Sequence, residues 1–148
     1  MKILGIGNAI VDVICKIDDN FIDQNNLTKS TMKLFFDENE FKNLLTNLKI
    51  EKTVSGGSVA NSIVGLSQLG NKVGFIEKVS DDEFGSKYED GLKQENVEYF
   101  YSKKNEELPT GTCLILVTPD SERTMCTFLG TAGKINENDV DNDVIKKS

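Results

Sequence analysis

Gly56-Gly57-Ser58-Val59-Ala60-Asn61-Ser62 opens a run that continues through Ile63, Val64 and Leu66 to Leu69-Gly70-Asn71, and from there directly into Lys72-Val73-Gly74-Phe75-Ile76. Ala60, Ile63, Val64 and Leu66 give the middle of the run a wide apolar face at helical spacing, and Gly70-Asn71 is the chemistry that ends a helix. Lys72 to Val79 then reads as a strand. A glycine pair at a strand end, a helix and a further strand in succession make a βαβ unit.

The same alternation extends in both directions. Downstream, Ser80-Asp81-Asp82-Glu83 has the form of a capping box, Phe84, Tyr88 and Leu92 share one helical face, and Val97-Glu98-Tyr99-Phe100-Tyr101 is strand-like. Upstream, Asp37 with Glu40 caps a helix over 38–49, in which Phe41, Leu44, Leu45 and Leu48 recur at i, i+3, i+4 and i+7. Met32 to Phe36 reads as a strand, while 18–30 are mostly polar with Phe21, Ile22 and Leu27 as isolated anchors. At the N-terminus Ile3 to Gly7 is a short apolar strand that Ala9 to Cys15 continues. Residues 1 to 101 therefore predict an α/β fold with a largely parallel sheet.

The remainder breaks that pattern. Thr112 to Val117 and Arg123 to Leu129 are β-rich and joined by Thr118-Pro119-Asp120-Ser121-Glu122, which is turn chemistry and predicts an antiparallel hairpin. From Ile135 to Ser148 a helix is expected, with Val140 and Val144 four apart and acids ahead of Lys146-Lys147. No linker, repeat or domain boundary is evident, and the sheet has about half the strands expected against a mean of roughly five or six. A chain that continues beyond Ser148 in its parent is the expectation.

The chain has 148 residues, 38% of them hydrophobic and 28% charged, with only two prolines, which excludes a disordered tail, a collagen-like repeat and a low-complexity linker. A net charge of −7 gives no general attraction to nucleic acid or to anionic lipid. No stretch has the roughly 20 apolar residues of a membrane span. Met1-Lys2-Ile3-Leu4-Gly5 enters a strand-like run without a cleavage-type signal, so a cytoplasmic location is expected. Cys15, Cys113 and Cys126 show no metal or disulfide spacing and read as buried free thiols. There is no histidine, which removes every Ser-His-Asp, Cys-His and histidine-base mechanism from this chain.

Four places carry potential chemistry. Gly5-Ile6-Gly7-Asn8-Ala9-Ile10 approaches the dinucleotide fingerprint, but Ile10 replaces the third glycine, which leaves a nicotinamide-dependent dehydrogenase a weakly supported alternative. Asn8 and Asp12, read as one strand, share a face about 13 Å apart at ~3.3 Å per residue. Asp12 either caps backbone or pairs with a lysine, or it accepts hydrogen bonds from a hydroxylated ligand. Gly56, Gly57 and Asn61 form a junction where a ligand could meet bare backbone and unpaired helix N–H groups, with a tight helix–sheet contact as the alternative reading. Arg123 opens the second hairpin strand, where a flexible flap would bring a cation onto a phosphate, against the plainer reading of a solvated charge. Cys113, Met125 and Thr127 line one face of that hairpin.

Together these pieces resemble the ribokinase-like (PfkB) sugar kinases, and among them the adenosine-kinase-like branch. The resemblance rests on Gly5 to Asp12, on Gly56-Gly57-Ser58-Val59-Ala60-Asn61-Ser62 leading to Leu69-Gly70, and on Val79-Ser80-Asp81-Asp82-Glu83-Phe84-Gly85. Its fourth element is Thr110-Gly111-Thr112-Cys113 with Glu122-Arg123-Thr124-Met125. It implies a ribokinase-like Rossmann-type sheet, present in part, with a small β-strand lid inserted near 15–36 and 110–131 and no separate second domain.

It also implies phosphoryl transfer from ATP with Mg²⁺ to the hydroxymethyl group of a nucleoside or sugar. Asn8 and Asp12 would then hold ribose hydroxyls, and Gly56, Gly57 and Asn61 would complete that sugar site. Cys113 and Met125, with Met32 from the earlier lid strand, would meet a base, and Arg123 the transferred phosphate. The family's D-T-x-G-A-G-D signature, with its catalytic aspartate, has no match in the chain, so 1–148 corresponds to the acceptor-binding half and no catalytic residue is assigned in it. A kinase for ribose or fructose and a non-catalytic nucleoside- or sugar-binding module are the alternatives. A monomer and a homodimer paired through the lid edge both fit.

Overall fold

A computed structural model describes residues 2–101 and 104–148; Met1, which belongs to the N-terminal run, lies outside the described residues. In chain order the elements are β1 (Lys2–Ile6), β2 (Ile10–Lys16), α1 (Asp19–Gln24), β3 (Met32–Phe35), α2 (Glu38–Thr46), β4 (Ile50–Gly56) and α3 (Ser58–Gln68). There follow β5 (Lys72–Ile76), α4 (Glu83–Gln94), β6 (Glu98–Tyr99), β7 (Gly111–Val117), β8 (Arg123–Phe128), two short 3-10 turns, and α5 (Asn142–Lys146). The chain divides into two compact units, Met1–Val11 with Val54–Gly111 and Leu129–Ser148, and Asp12–Thr53 with Thr112–Phe128.

The first unit is built on a parallel sheet of order β1-β5-β6. Helix α3 lies so close to β1 that a side chain at Gly5 would begin 2.7 Å from the Ile63 side chain, so this helix–strand contact depends on glycine. Phe75 on β5 and Tyr88 and Leu92 on α4 are fully buried, each large side chain worth about 1.5–3 kcal/mol of transfer free energy. The Tyr88 hydroxyl donates to the Gly56 carbonyl at 3.1 Å, and the Ser55 hydroxyl donates to the Tyr88 carbonyl at 3.1 Å, which ties the end of β4 to α4.

The second unit centres on a mixed sheet of order β3-β8-β7-β2-β4. The hairpin expected between 112 and 129 is present: β7 and β8 are antiparallel, with Cys113 opposite Thr127 and Ile115 opposite Met125, while β3 runs parallel to β8 with Met32 beside Met125. Phe35, Phe41 and Phe128 meet with ring centroids 5.6 Å apart, so α2 covers the sheet face that carries Phe35 and Phe128. The opposite face exposes Met32 (61%) and Met125 (37%).

Several expectations from sequence are corrected. Ile3 to Gly7 and Ala9 to Cys15 are not one continued strand: β1 and β2 belong to different sheets, separated at 7–9. Here the Gly7 amide donates to the Ile76 carbonyl at 3.3 Å, and a side chain on Gly7 would start 2.9 Å from Val59. Asn8 and Asp12 therefore do not share a strand face. The parallel sheet keeps only three strands, because β2, β3 and β4 join the mixed sheet.

Helix α4 is capped by Asp82 and not by Ser80, whose backbone amide is already taken by the Thr110 hydroxyl at 3.0 Å. The strand expected over 97–101 is only Glu98–Tyr99. The last helix begins at Asn142 behind an Asp141 cap, leaving Val140 outside it.

Candidate functional site

In the first unit the structure brings Asn8, Gly56, Gly57 and Asn61 to one place. Gly57 is the cap residue of α3 with φ +102°, in the region that favours glycine, and a Cβ there would sit 2.5 Å from the Asn8 carbonyl oxygen. Gly57 is thus required both by its own backbone and by the approach of the 7–9 segment. Gly56 is buried beneath the Tyr88 hydroxyl, whereas the side chains of Asn8 and Asn61 are exposed.

The N-termini of α1, α2, α4 and α5 are each closed by an aspartate, at Asp18, Asp37, Asp82 and Asp141. Helix α3 has a glycine cap and no side-chain cap hydrogen bond, so its first-turn N–H groups keep their hydrogen-bonding capacity.

In the second unit Asp12 is half-buried within β2, and its carboxyl is raised above the ordinary carboxylate range by burial alone. Neither a hydrogen bond nor an ion pair from another described residue lowers it, so the reading of Asp12 as a backbone cap or a lysine partner is not what the fold uses. Cys113 on β7 is buried, and the Thr127 hydroxyl lies 3.2 Å from its sulfur. Burial pushes the Cys113 thiol up, the Thr127 contact opposes that shift, and the neighbouring Asp12 carboxylate adds to it. Cys113, Ile115, Met125 and Thr127 occupy the same face of the hairpin as Met32, the face opposite the phenylalanine cluster. Arg123 opens β8 opposite Val117 and is exposed.

The hairpin is not the free two-stranded flap that its sequence suggests. It lies inside a five-stranded sheet, and its turn is bound to the segment after α1. The Lys29 ammonium donates to Asp120 at 2.5 Å and to Asp19 at 2.7 Å, the Ser30 hydroxyl donates to Glu122 at 2.6 Å, and the Ser30 amide donates to the Thr124 hydroxyl at 3.0 Å. The carboxylates of Asp120 and then Asp19 push Lys29 up to about 12. No local pattern in 18–30 announces this clasp, because its partners lie about ninety residues away in sequence.

Two further groups lie outside the residues singled out for the site. Glu77, directly after β5, is fully buried with neither carboxyl oxygen hydrogen-bonded by a described residue. The Asp82 side chain holds Thr110 as well as the α4 N-terminus. Among the described residues no group of three or more Cys, Asp or Glu side chains is arranged to hold a metal ion, and no helix is long and apolar enough to cross a membrane.

One unit with a parallel sheet and a glycine-capped helix that links β4 of the mixed sheet to β5 of the parallel one, and a second unit with a mixed sheet and an aspartate half-buried without a partner among the described residues, match a ribokinase-like fold, and comparison with known proteins agrees. The pfkB family carbohydrate kinase pattern matches residues 14–147, and the chain belongs to that family. It is 30% identical over 115 residues to a 5-dehydro-2-deoxygluconokinase from Mesomycoplasma hyopneumoniae (strain 7448), covering 76% of this chain and 34% of the relative. To a probable fructokinase-7 from Arabidopsis thaliana it is 32% identical over 99 residues, covering 66% of this chain and 29% of the relative. The crystal structure of adenosine kinase from Sinorhizobium meliloti superposes with a TM-score of 0.86 at 33% identity, covering 99% of this chain and 45% of that one. The chain thus spans about a third of the length of these curated relatives.

Proposed function

We propose that this chain is the acceptor-binding part of a kinase that moves the γ-phosphoryl group of ATP to the hydroxymethyl group of a nucleoside or sugar, with adenosine favoured, in the cytoplasm. Asn8 and Asp12 receive acceptor hydroxyls, Gly56, Gly57 and Asn61 supply the bare backbone and polar edge of the sugar site, and Cys113, Met125 and Met32 supply apolar contact to a base. Arg123 meets the phosphoryl group. The observation that carries this reading is Asp12: a carboxylate half-buried in an apolar strand, raised by burial and relieved by no donor among the described residues. A hydrogen bond to such a charged group is worth about 1.5–3 kcal/mol. Adenosine is favoured by the Thr110-Gly111-Thr112-Cys113 and Arg123-Thr124-Met125 segments and by the structural similarity to an adenosine kinase.

No residue of this chain is assigned as catalytic base. ATP and Mg²⁺ are assigned mainly to the part of such a kinase that carries the D-T-x-G-A-G-D signature. What these residues contribute is positioning, the larger part of catalysis in phosphoryl transfer.

Isothermal titration of the protein with adenosine, ribose and fructose tests the reading. One of the three is expected to bind, and Asp12→Asn to weaken it about tenfold or more. Binding that is unchanged by Asp12→Asn overturns the assignment. Binding by a parent that shows no phosphorylation of any of the three favours the non-catalytic module.

A further inference from the structure

The segment Ser80-Asp81-Asp82-Glu83-Phe84-Gly85 contributes no residue to the acceptor site proposed above, yet its Asp82 carboxylate accepts three hydrogen bonds. One Asp82 oxygen accepts from the Gly85 amide at 2.7 Å, which is the N-cap of α4, and also from the Thr110 hydroxyl at 2.7 Å. The other accepts from the Thr110 amide at 2.9 Å. The Thr110 hydroxyl in turn accepts from the Ser80 amide at 3.0 Å, and Thr110 is 1% exposed. An N-cap needs a single acceptor, which serine or threonine provides equally well. The second oxygen and both Thr110 bonds are therefore surplus to capping.

Thr110 is the residue before β7, and the backbone there has no room to spare. A Cβ on Gly111 would lie 2.7 Å from the Ile10 side chain and from the Leu129 carbonyl, and 2.8 Å from the Ala9 carbonyl. A Cβ on Gly130, at φ +52°, would lie 2.1 Å from the Pro109 carbonyl, which also accepts from the Thr131 amide at 2.9 Å. Segments 9–10, 109–111 and 129–131 thus pack closely through Gly111 and Gly130 at the points where the chain enters β2, enters β7 and leaves β8. Gly111 and Gly130 bring no side chain of their own to this crossing, and the buried Thr110 hydroxyl and amide held by one carboxylate lock the chain beside them.

We propose that Asp82 is a positioning residue for acceptor binding: by gripping Thr110 it fixes the point from which β7 carries Cys113. The proposal rests on the acceptor-site reading of Cys113 and Asp12. Two variants separate the grip from the cap. Asp82→Ser retains an acceptor for the Gly85 amide but is too short to hold Thr110 as well. Thr110→Val leaves the cap intact and removes the hydroxyl. Thr110→Ser restores the hydroxyl and serves as the rescue.

The test combines amide hydrogen exchange with titration of adenosine, ribose and fructose. Asp82→Ser and Thr110→Val are both expected to speed exchange over Thr112–Leu116 and to weaken the acceptor about tenfold. The double variant is expected to be no worse than either single one, and Thr110→Ser to match the wild type. Protection of the first-turn amides of α4 is expected to persist in Thr110→Val. Additive effects in the double variant, or acceptor binding and Thr112–Leu116 exchange unchanged in Thr110→Val, overturn the positioning role while leaving the acceptor site standing. A wild type that binds none of the three compounds refutes the acceptor reading, and the positioning role falls with it.

Discussion

Replacing Glu77 by glutamine should make the first unit less sensitive to alkali, and the structure gives the size of the effect. The Glu77 carboxyl is fully buried and neither oxygen is hydrogen-bonded by a described residue. Burial, and secondarily the nearby Glu89 carboxylate, push its pKa from 4.5 up to about 8. The folded state therefore holds this proton more tightly than the unfolded state does. Below about pH 4.5 both states are protonated and the group contributes no pH dependence. Between about 4.5 and 8 the unfolded chain ionises while the folded one does not, so stability falls as pH rises and levels off above that range. At about 1.4 kcal/mol per pH unit, the loss accumulates to something on the order of 3–5 kcal/mol.

Glu77→Gln keeps the shape and removes the titration. The two proteins should have similar stability near pH 5, and the variant should be the more stable by several kcal/mol near pH 8.5. The chain has no tryptophan, and its three tyrosines, Tyr88, Tyr99 and Tyr101, all belong to the first unit, so tyrosine fluorescence during urea unfolding reports that unit selectively. A urea m-value of about 1–3 kcal/mol/M converts the expected difference into a midpoint shift of at least 1 M. Parallel stability profiles for wild type and variant between pH 5 and 8.5 would refute the reasoning, since they would mean that Glu77 ionises in the fold at no cost.

Two further predictions concern the glycine cap and the thiols. Gly57→Ala must place a Cβ at φ +102° and 2.5 Å from the Asn8 carbonyl, so a loss of at least ~2 kcal/mol is expected in urea unfolding, and a loss within about 0.5 kcal/mol would contradict the geometry. Cys15, Cys113 and Cys126 are all buried and their thiols are raised by burial, Cys126 up to about 11, so at pH 8 a disulfide reagent should leave folded protein unmodified and titrate three thiols after unfolding in urea. Prompt labelling of the folded chain would show that one of the buried strands opens readily.

What sequence made legible is what local rules determine. The 118–122 turn and its β-branched flanks announce the hairpin, and the 56–76 run announces β4 ending at glycine, α3 and β5. The body of β4 is another matter: Ile50, Glu51, Lys52 and Val54 are all exposed on an edge strand, so no buried alternation marks it. The choice of Asp82 over Ser80 as cap depends on Thr110, far along the chain, and the break between β1 and β2 depends on Gly7 meeting Val59. Both are tertiary facts that a capping rule and a hydrophobic run cannot contain. Asn8, Gly57 and Asp12 could be selected as candidates from residue type, but their company could not: Gly57 with the Asn8 carbonyl, Asp12 with Cys113.

The distribution of unmet hydrogen-bonding capacity separates ligand site from scaffold. Much of the scaffold closes its polar groups: four helices carry aspartate caps, the hairpin turn is clasped by Lys29 and Ser30, and Asp82 accepts three hydrogen bonds. Among the described residues, capacity is left over at the glycine-capped start of α3, at Asp12 and at Glu77. The first two differ from the third in access. Asn61 and Asn8 beside the α3 terminus are exposed in the first unit and Asp12 is half-exposed in the second, so hydroxyl groups from outside the protein have access to each of them. Glu77 is fully buried with no donor among the described residues, so protonation is how its charge is avoided. A carboxylate that a ligand satisfies and a carboxyl that a proton satisfies should respond oppositely to amidation: Asp12→Asn costs binding, whereas Glu77→Gln leaves binding intact and removes a pH dependence. If Glu77→Gln weakened acceptor binding as strongly as Asp12→Asn at pH 6, accessibility would not be what distinguishes the two, and the site would have to be redrawn to include the end of β5.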